Sequence, residues 1–436
     1  MFARQIATPD TRRCGGATIA SPTVFHWFSR ESAMKSVIVL GAGKVGKSVA
    51  ELLLIAGKGE YRVTICDHNE HHLAEAESNL RRLKTLVKFP VEFASRRLDV
   101  SKKEQVREAL RGHDYVICML PFNFVLGIAE IANELGVNYF DVTEDVETTD
   151  AVRGIATGGK ARVALVPQCG LAPGYIAIAA YDIARQFKTV HELTLRVGAL
   201  PQFPTNRLKY NVTWSTAGVV NEYCEPCNVM LDGRRVKVPA LEGLEHFSFE
   251  GIEYEAAYTS GGVGSLIETL EAEKKTTGET RIAYKTIRYP GHFELMKFLL
   301  QDLRLGVEHA DPGPGGVKFD RSLAMGILDN AVARTLQDEV VVFVNGVGID
   351  NAGIRRQINF KRIVRATTMF GRVWPAIELT TAAGVCAMVD LHRQGRLPKT
   401  GFIRQEECTL EMFNQSLFGL AYENPDAIEP SVRAAH

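Results

Sequence analysis

Residues 35–57, KSVIVLGAGKVGKSVAELLLIAG, decide the fold. The run Val37–Leu40 is apolar without alternation, as in a strand buried on both faces of a parallel sheet. It runs into Gly41-Ala42-Gly43-Lys44-Val45-Gly46, a GxGxxG turn, and apolar residues then recur at helical spacing. In a strand–turn–helix unit each glycine has a separate task. Gly41 permits the tight turn, Gly43 lets the backbone approach a pyrophosphate, and Gly46 allows the helix to lie close to the strand. The helix N-terminus, with Ala42, Lys44 and Val45 beside it, then receives the negative phosphates.

Working outward, YRVTICD ends on Asp67, about 20 residues beyond the last glycine, where a carboxylate accepts hydrogen bonds from the adenosine ribose. His68, Asn69 and Glu70 follow with no adjacent Arg or Lys. A 2'-phosphate would be repelled there, so NAD is expected, with NADP possible if a distant cation folds over the site. Asp99 and Val100, ending the third strand, are expected to flank the adenine. Leu120, Pro121 and Phe122 follow the fourth strand and are expected near the nicotinamide, the alternative being simple strand-end packing.

Strands and helices continue to alternate up to RVALVP, giving six strands between Ser36 and Pro167 and a doubly wound parallel sheet of the Rossmann type. After Gly174 the pattern changes. YIAIAAYDIARQF reads as a helix, whereas HELTLRVGAL, KYNVTWS, NVMLDGRRVKVP, EYEAAYTSGG and RIAYKTIRY read as members of a mixed or antiparallel sheet, with DGRR and DNAG as hairpin turns. A helix is expected near 320–336. A long helix follows Pro375, which suits the first helical turn, and stops near Gly395.

The expected organisation is an α/β Rossmann domain at 34–167, an α+β substrate and dimerisation domain at 168–370, a helix returning to the first domain within 371–405, and a tail at 406–436. Residues 1–33 carry four Arg and only two acids. They read as a poorly ordered leader, either transit-like or lying upstream of a start at Met34.

Composition narrows the function classes. Fifty-one Lys and Arg oppose 51 Asp and Glu, a balance that argues against nucleic acid or an anionic membrane surface as partner. No stretch approaches the ~18 apolar residues of a membrane span. The eight cysteines are scattered, several inside apolar strands, which fits a reducing, cytoplasmic setting better than a disulfide framework. Cys224-Glu-Pro-Cys227 lacks further ligands at metal-site spacing, so no metal is expected.

A Rossmann unit names a cofactor and no reaction. Four further segments are more specific: DYVICMLPFNFVLGIAEIANELGVNYFDVTED at 114–145, VPQCGLAPGYIAIAAYDIA at 166–184, VGALPQFPTNRLKYNVTWSTAGVVNEY at 197–223 and YKTIRYPGH at 284–292. In this order they resemble the saccharopine dehydrogenase family, which includes the lysine 6-dehydrogenases. The resemblance runs from Met34 to about Gln405.

It implies oxidation of a carbon–nitrogen bond at C6 of a lysine-derived amino acid, giving an imine that hydrolyses to the semialdehyde, and a homodimer. Within it Arg288 is the expected carboxylate anchor and Tyr210, Trp214 and Ser215 the expected pocket. His292 and Tyr289 are the catalytic candidates, and Gly170 and Pro173 shape the crossing beside the cofactor. The competing readings are a strand-face ion pair for Arg288, a helix-start residue for His292, and core for Tyr210 and Trp214. Saccharopine is the leading substrate and lysine the second. A non-catalytic NAD-binding protein is the alternative from another class. Saccharopine carries three carboxylates and lysine one, so the cations facing the pocket, including the nearby Arg207, Lys209 and Lys285, discriminate the substrates.

Overall fold

The computed structural model describes residues 34–313 and 316–434; the leader expected at 1–33 lies outside them. Strands β1 (Lys35–Leu40), β2 (Tyr61–Asp67), β3 (Glu92–Arg97), β4 (Tyr115–Cys118), β5 (Asn138–Asp141) and β6 (Ala164–Val166) alternate with helices α1 (Lys44–Ala56), α2 (Glu70–Leu86), α3 (Lys103–Leu110), α4 (Phe122–Leu135) and α5 (Val146–Ala156). The strands pair in parallel in the order β6-β5-β4-β1-β2-β3. Central β1 obeys the strand period of two: Val37 and Val39 join the core containing α1 and α2, while Ile38 and Leu40 join the core containing α3 and α4. At the edge, β3 exposes Glu92, Arg96 and Arg97, charges that discourage a further strand. Winding reverses between β1 and β4, which opens a crevice at their carboxyl ends.

Helix α6 (Tyr175–Ala184) leads into a second, mixed sheet. Its elements are β7 (Phe187–Pro201), α7 (Thr216–Cys224), β8 (Cys227–Leu231), β9 (Arg234–Val238), β10 (Glu245–Phe249), β11 (Ile252–Tyr258), α8 (Leu266–Ala272), β12 (Arg281–Arg288), α9 (His292–Lys297), α10 (Arg321–Ala331), β13 (Asp338–Asp350) and β14 (Arg355–Arg365). The order is β10-β11-β12-β7-β13-β14, with β8 and β9 attached to β12. Among the described residues of this sheet only the β12–β7 pair is parallel. Asp232-Gly233 and Asp350–Gly353 form the turns of the β8–β9 and β13–β14 hairpins.

KYNVTWS, expected as a strand, is an extended loop that touches the chain beyond α10 through a single bridge, Val212 to Arg334. Its polar groups are served locally, as where Asn206 Nδ2 donates to the Tyr210 carbonyl at 2.6 Å. Helix α10 also ends earlier than expected, because Val332 turns extended and the next residues meet this loop.

A small hairpin, β15 (Thr367–Met369) and β16 (Arg372–Trp374), precedes helix α11 (Ala376–Arg393). Asp338 of β13 caps α11, accepting from the amides of Ala376 at 2.5 Å and Ile377 at 3.0 Å. The helix then lies on the first sheet's own layer: Ser48 of α1 donates to Glu378 and Tyr61 of β2 donates to Asp390. Beyond it β17 (Gly401–Phe402) pairs with β6, adding a seventh strand to the first sheet. Two residues carry no readable period, so only the helix was expected in this region. Among the described residues no helix is long and apolar enough to cross a membrane, the cysteines are free thiols, and no cluster of His, Cys, Asp and Glu is arranged to hold a metal.

Candidate active site

The crevice is continuous with a cavity of about 420 Å³ between the two sheets. One end is the glycine turn. Gly41 has φ +103°, and a Cβ there would stand 2.6 Å from the Met119 carbonyl oxygen; at Gly46 it would stand 1.9 Å from the Gly41 carbonyl oxygen. Both positions therefore demand glycine for the protein's own packing. Gly43 differs, since nothing lies within 4 Å of where its Cβ would be. That open space faces the N-terminus of α1, which has no side-chain cap and no acid in its first turn. Free amides, positive helix polarity and room for backbone approach fit a pyrophosphate.

Asp67 is buried at the end of β2. One oxygen accepts the Ala42 amide at 2.7 Å and the other the Asn69 amide at 2.8 Å, so the carboxylate is tied to the glycine turn while keeping acceptor capacity. His68 is solvent-exposed beside it. Leu120, Pro121 and Phe122 border the cavity with Gly170 and Pro173, and Phe122, at 44 % exposure, is at the rim instead of packed beneath the strand. Asp99 and Val100 do not border it. Asp99 binds Ser101 and Lys102 locally, and Val100 leans on the core beneath α3.

The other end is built from β12, β7, α7 and α11. Tyr284, Thr286 and Arg288 alternate along β12 toward the cavity. Arg288 is 2 % exposed, and its guanidinium lies 5.1 Å from the Tyr210 ring and 5.7 Å from the Tyr223 ring. One nitrogen donates to the Ile287 carbonyl at 2.8 Å, while Nε is buried without a partner. Among the described residues it forms no ion pair, so the strand-face reading fails. A buried guanidinium with an unmet donor has the chemistry to hold an external carboxylate.

Trp214 and Ser215 line this end as expected, the Ser215 hydroxyl being used to cap α7 at the Gly218 amide, 3.2 Å away. Tyr210 is buried beneath Arg288 with its ring against the guanidinium, and it lies outside the cavity lining where it was expected.

Two expectations are corrected. Tyr289 falls on the opposite face of the chain from Arg288, stacks on Tyr254 and donates to the Pro201 carbonyl at 3.0 Å. His292 is 1 % exposed, with Nδ1 2.9 Å from the Leu208 carbonyl and Nε2 3.1 Å from the Tyr223 hydroxyl. Burial, and then Arg288, push its pKa down to about 3, so it stays neutral inside the core and exchanges no proton with the cavity. The spare cations are also placed elsewhere: Lys209 donates to the Pro290 carbonyl, Lys285 faces Gly243 and Glu245, and Arg207 is exposed.

Sequence reading missed two acids in the lining, Glu144 and Glu222. Burial, and then Glu144, raise Glu222 to about 8 against the opposing effect of Arg288. Burial also raises Glu144. Glu222 was legible: Ser215, Gly218 and Glu222 follow a helical i, i+3, i+7 pattern that puts them on one face of α7. Asp141, fully buried at the end of β5, accepts the amides of Thr143 and Gln168 at 3.0 Å each and thereby fixes both the Glu144 loop and the approach to Gly170.

A family model described as "Saccharopine dehydrogenase NADP binding domain" matches residues 37–161, and one described as "Saccharopine dehydrogenase C-terminal domain" matches 170–421. The mouse protein named alpha-aminoadipic semialdehyde synthase, mitochondrial, is 26% identical over 218 residues, 48% of this chain and 22% of that one. Its cattle counterpart is 25% identical over 290 residues, 64% and 29%. The chain thus spans less than a third of these curated relatives.

Among solved structures, apo saccharopine dehydrogenase (L-Glu forming) from Saccharomyces cerevisiae superposes with a TM-score of 0.68 at 16% identity, covering 88% of this chain and 97% of that one. Homospermidine synthase from Legionella pneumophila, solved with NAD, gives 0.56 at 12% identity, covering 89% of each. At these identities the superpositions establish the fold alone. With the two family models together accounting for most of its length, the chain belongs to the saccharopine dehydrogenase family.

Proposed function

We propose that the chain is an NAD(P)-dependent oxidoreductase acting on a carbon–nitrogen bond of a lysine-derived amino acid. The observation that carries this reading is Arg288, a buried cation with no ion-pair partner among the described residues, opening onto a cavity whose far end is an uncapped helix N-terminus. A nicotinamide dinucleotide held by Gly43, the first turn of α1 and Asp67 supplies the two-electron acceptor when bound.

The remaining tasks fall to side chains. Arg288 holds the substrate carboxylate, braced by Tyr210 and Tyr223. Glu222, whose raised pKa keeps it ready to exchange a proton in the mildly alkaline range, accepts the proton that leaves the amine. Glu144 gives a second acceptor for the amine or for the water that hydrolyses the imine. Trp214, Leu120 and Met119 form apolar walls that limit solvent.

Between the two substrates, the charge of the lining favours lysine. It holds two acids, Glu144 and Glu222, and two cations, Arg288 and Lys44, of which Lys44 belongs to the glycine turn. One carboxylate and an amine match this set better than three carboxylates. Saccharopine is the second reading, supported by Lys44, for which a further carboxylate would be a partner. The test is NADH formation with NAD and either lysine or saccharopine at mildly alkaline pH. Turnover of lysine alone supports the leading reading, turnover of saccharopine alone replaces it with the second, and silence with both removes the substrate assignment. A homodimer through the second sheet belongs to the same reading, supported by the half-buried Phe247, Phe249 and Phe343 on one face. Sedimentation as a monomer at micromolar concentration would remove it.

A further inference from the structure

His292 exchanges no proton with the cavity, yet both of its ring nitrogens are engaged, and both partners belong to segments that surround Arg288. Nδ1 lies 2.9 Å from the Leu208 carbonyl, which offers lone pairs only, so that nitrogen carries the proton. A neutral imidazole has one N–H. Nε2 is therefore an acceptor, and the Tyr223 hydroxyl, 3.1 Å away, donates to it. The Tyr210 and Tyr223 rings pack on the imidazole with centroids 5.5 Å and 5.9 Å from its own. The same two rings hold the Arg288 guanidinium at 5.1 Å and 5.7 Å, within the range of a cation–π contact. We propose that His292 is a positioning residue for the substrate carboxylate: it holds Tyr223 by its hydroxyl and the Tyr210 loop by Leu208, and so fixes Arg288 before substrate arrives. The inference rests on the reading of Arg288 as the carboxylate anchor.

The turn between Arg288 and His292 serves the same end. Gly291, at φ +94°, lets the chain leave β12 and enter α9, and Glu255 of β11 fixes it by accepting the amides of Gly291 at 2.8 Å and Phe293 at 2.7 Å. Lys209 Nζ donates to the Pro290 carbonyl at 2.9 Å. The loop that carries Tyr210 is thus clasped to this turn at two successive residues, Leu208 and Lys209. TIRYPGH then divides its labour: Arg288 meets the ligand, Gly291 makes the turn, and Pro290 and His292 hold the loop. A guanidinium on a free stem gives up rotamer freedom when it binds, whereas one already held between two rings has given it up on folding.

The experiment compares lysine with 1,5-diaminopentane, which is lysine without its carboxylate, by calorimetric titration of the full chain with NAD present. Wild type is expected to bind lysine more tightly. Tyr223→Phe keeps the ring and removes the hydroxyl; it is expected to cut that preference roughly tenfold, the scale of one buried hydrogen bond, with the loss confined to lysine. His292→Gln keeps a donor and an acceptor and is expected to retain most of the preference, whereas His292→Phe, with neither, should lose it. Equal weakening of both amines would indicate a merely structural role and overturns the inference, as does a preference unchanged in Tyr223→Phe. Nitrogen-15 NMR at about pH 7, with the His292 signals identified by their loss in His292→Gln, should show the proton on Nδ1; a proton on Nε2, or on both nitrogens, also overturns it. A wild type that does not prefer lysine removes the carboxylate reading of Arg288 and the inference with it.

Discussion

The two ends of the cavity are made from different kinds of information. The glycine turn is local: one strand, six residues and one helix generate free amides, open space and a nearby carboxylate, and each feature follows from residue type and spacing. The Arg288 end is assembled from β7, α7, β12 and α11, elements far apart in sequence, and its character comes from what packing leaves unpaired. The difference teaches that a motif fixes a ligand class when its own backbone does the binding. A substrate site made of buried side chains is defined by their shared environment.

The sharpest way to break this contrast is at Arg288. Replacing it with Ala or Met should lower kcat/KM by ~10²–10³, the scale for losing one partner of a buried charge pair, mainly through KM, while leaving the dinucleotide dissociation constant unchanged. Equal loss of dinucleotide binding would show that the two ends are not independent.

Next is Glu222→Gln, expected to lower kcat roughly hundredfold as for the loss of a proton acceptor. It also carries a stability signature. A carboxyl near ~4.3 when unfolded and about 8 when folded binds more protons in the native state between those values. Wild-type stability therefore falls as pH rises through that window, and the ionised form bears the full penalty above it. The variant should melt a few degrees higher than wild type at about pH 9 and alike below about pH 4. A variant that gains nothing at the higher pH contradicts the buried-carboxyl account.

At the other end, Gly43→Val should weaken NAD binding roughly tenfold with little change in Tm, because its Cβ points into open space. Gly46→Ala should destabilise the fold itself, because its Cβ meets backbone. Exchange of these two behaviours would reverse the assignment of which glycine serves the ligand. The smallest expected effect is Tyr289→Phe, which removes one hydrogen bond to Pro201 worth about 1 kcal/mol and should leave both kinetic constants in place.

Legibility followed the same division. The first sheet was readable because Val37–Leu40 and the strands after it have short-range periods. The strand at 35–40 and the helix at 44–56 need only their own residues to be recognised. The second sheet was readable as strands but not as an order, since β12 lies beside β7 through contacts no local period encodes. At the site, period-two alternation already separates Arg288 from Tyr289, and helical spacing already joins Ser215 to Glu222. His292 could not be judged that way. Its neutrality comes from burial against Tyr210, Tyr223 and Phe293, and then from Arg288, and the two tyrosines lie far upstream in the sequence. KYNVTWS has strand-like residues and yet joins neither sheet among the described residues, making one isolated bridge at Val212.

The late strand β17 gives the chain a timetable. The first sheet is nearly complete when residue 166 has been made, but the edge of β6 stays uncovered until Gly401 and Phe402 arrive. At ~5–20 residues per second of synthesis that interval lasts roughly ten to fifty seconds. Throughout it the nascent protein offers a bare parallel strand edge and the unshielded face of α1, the surfaces through which incomplete chains find one another.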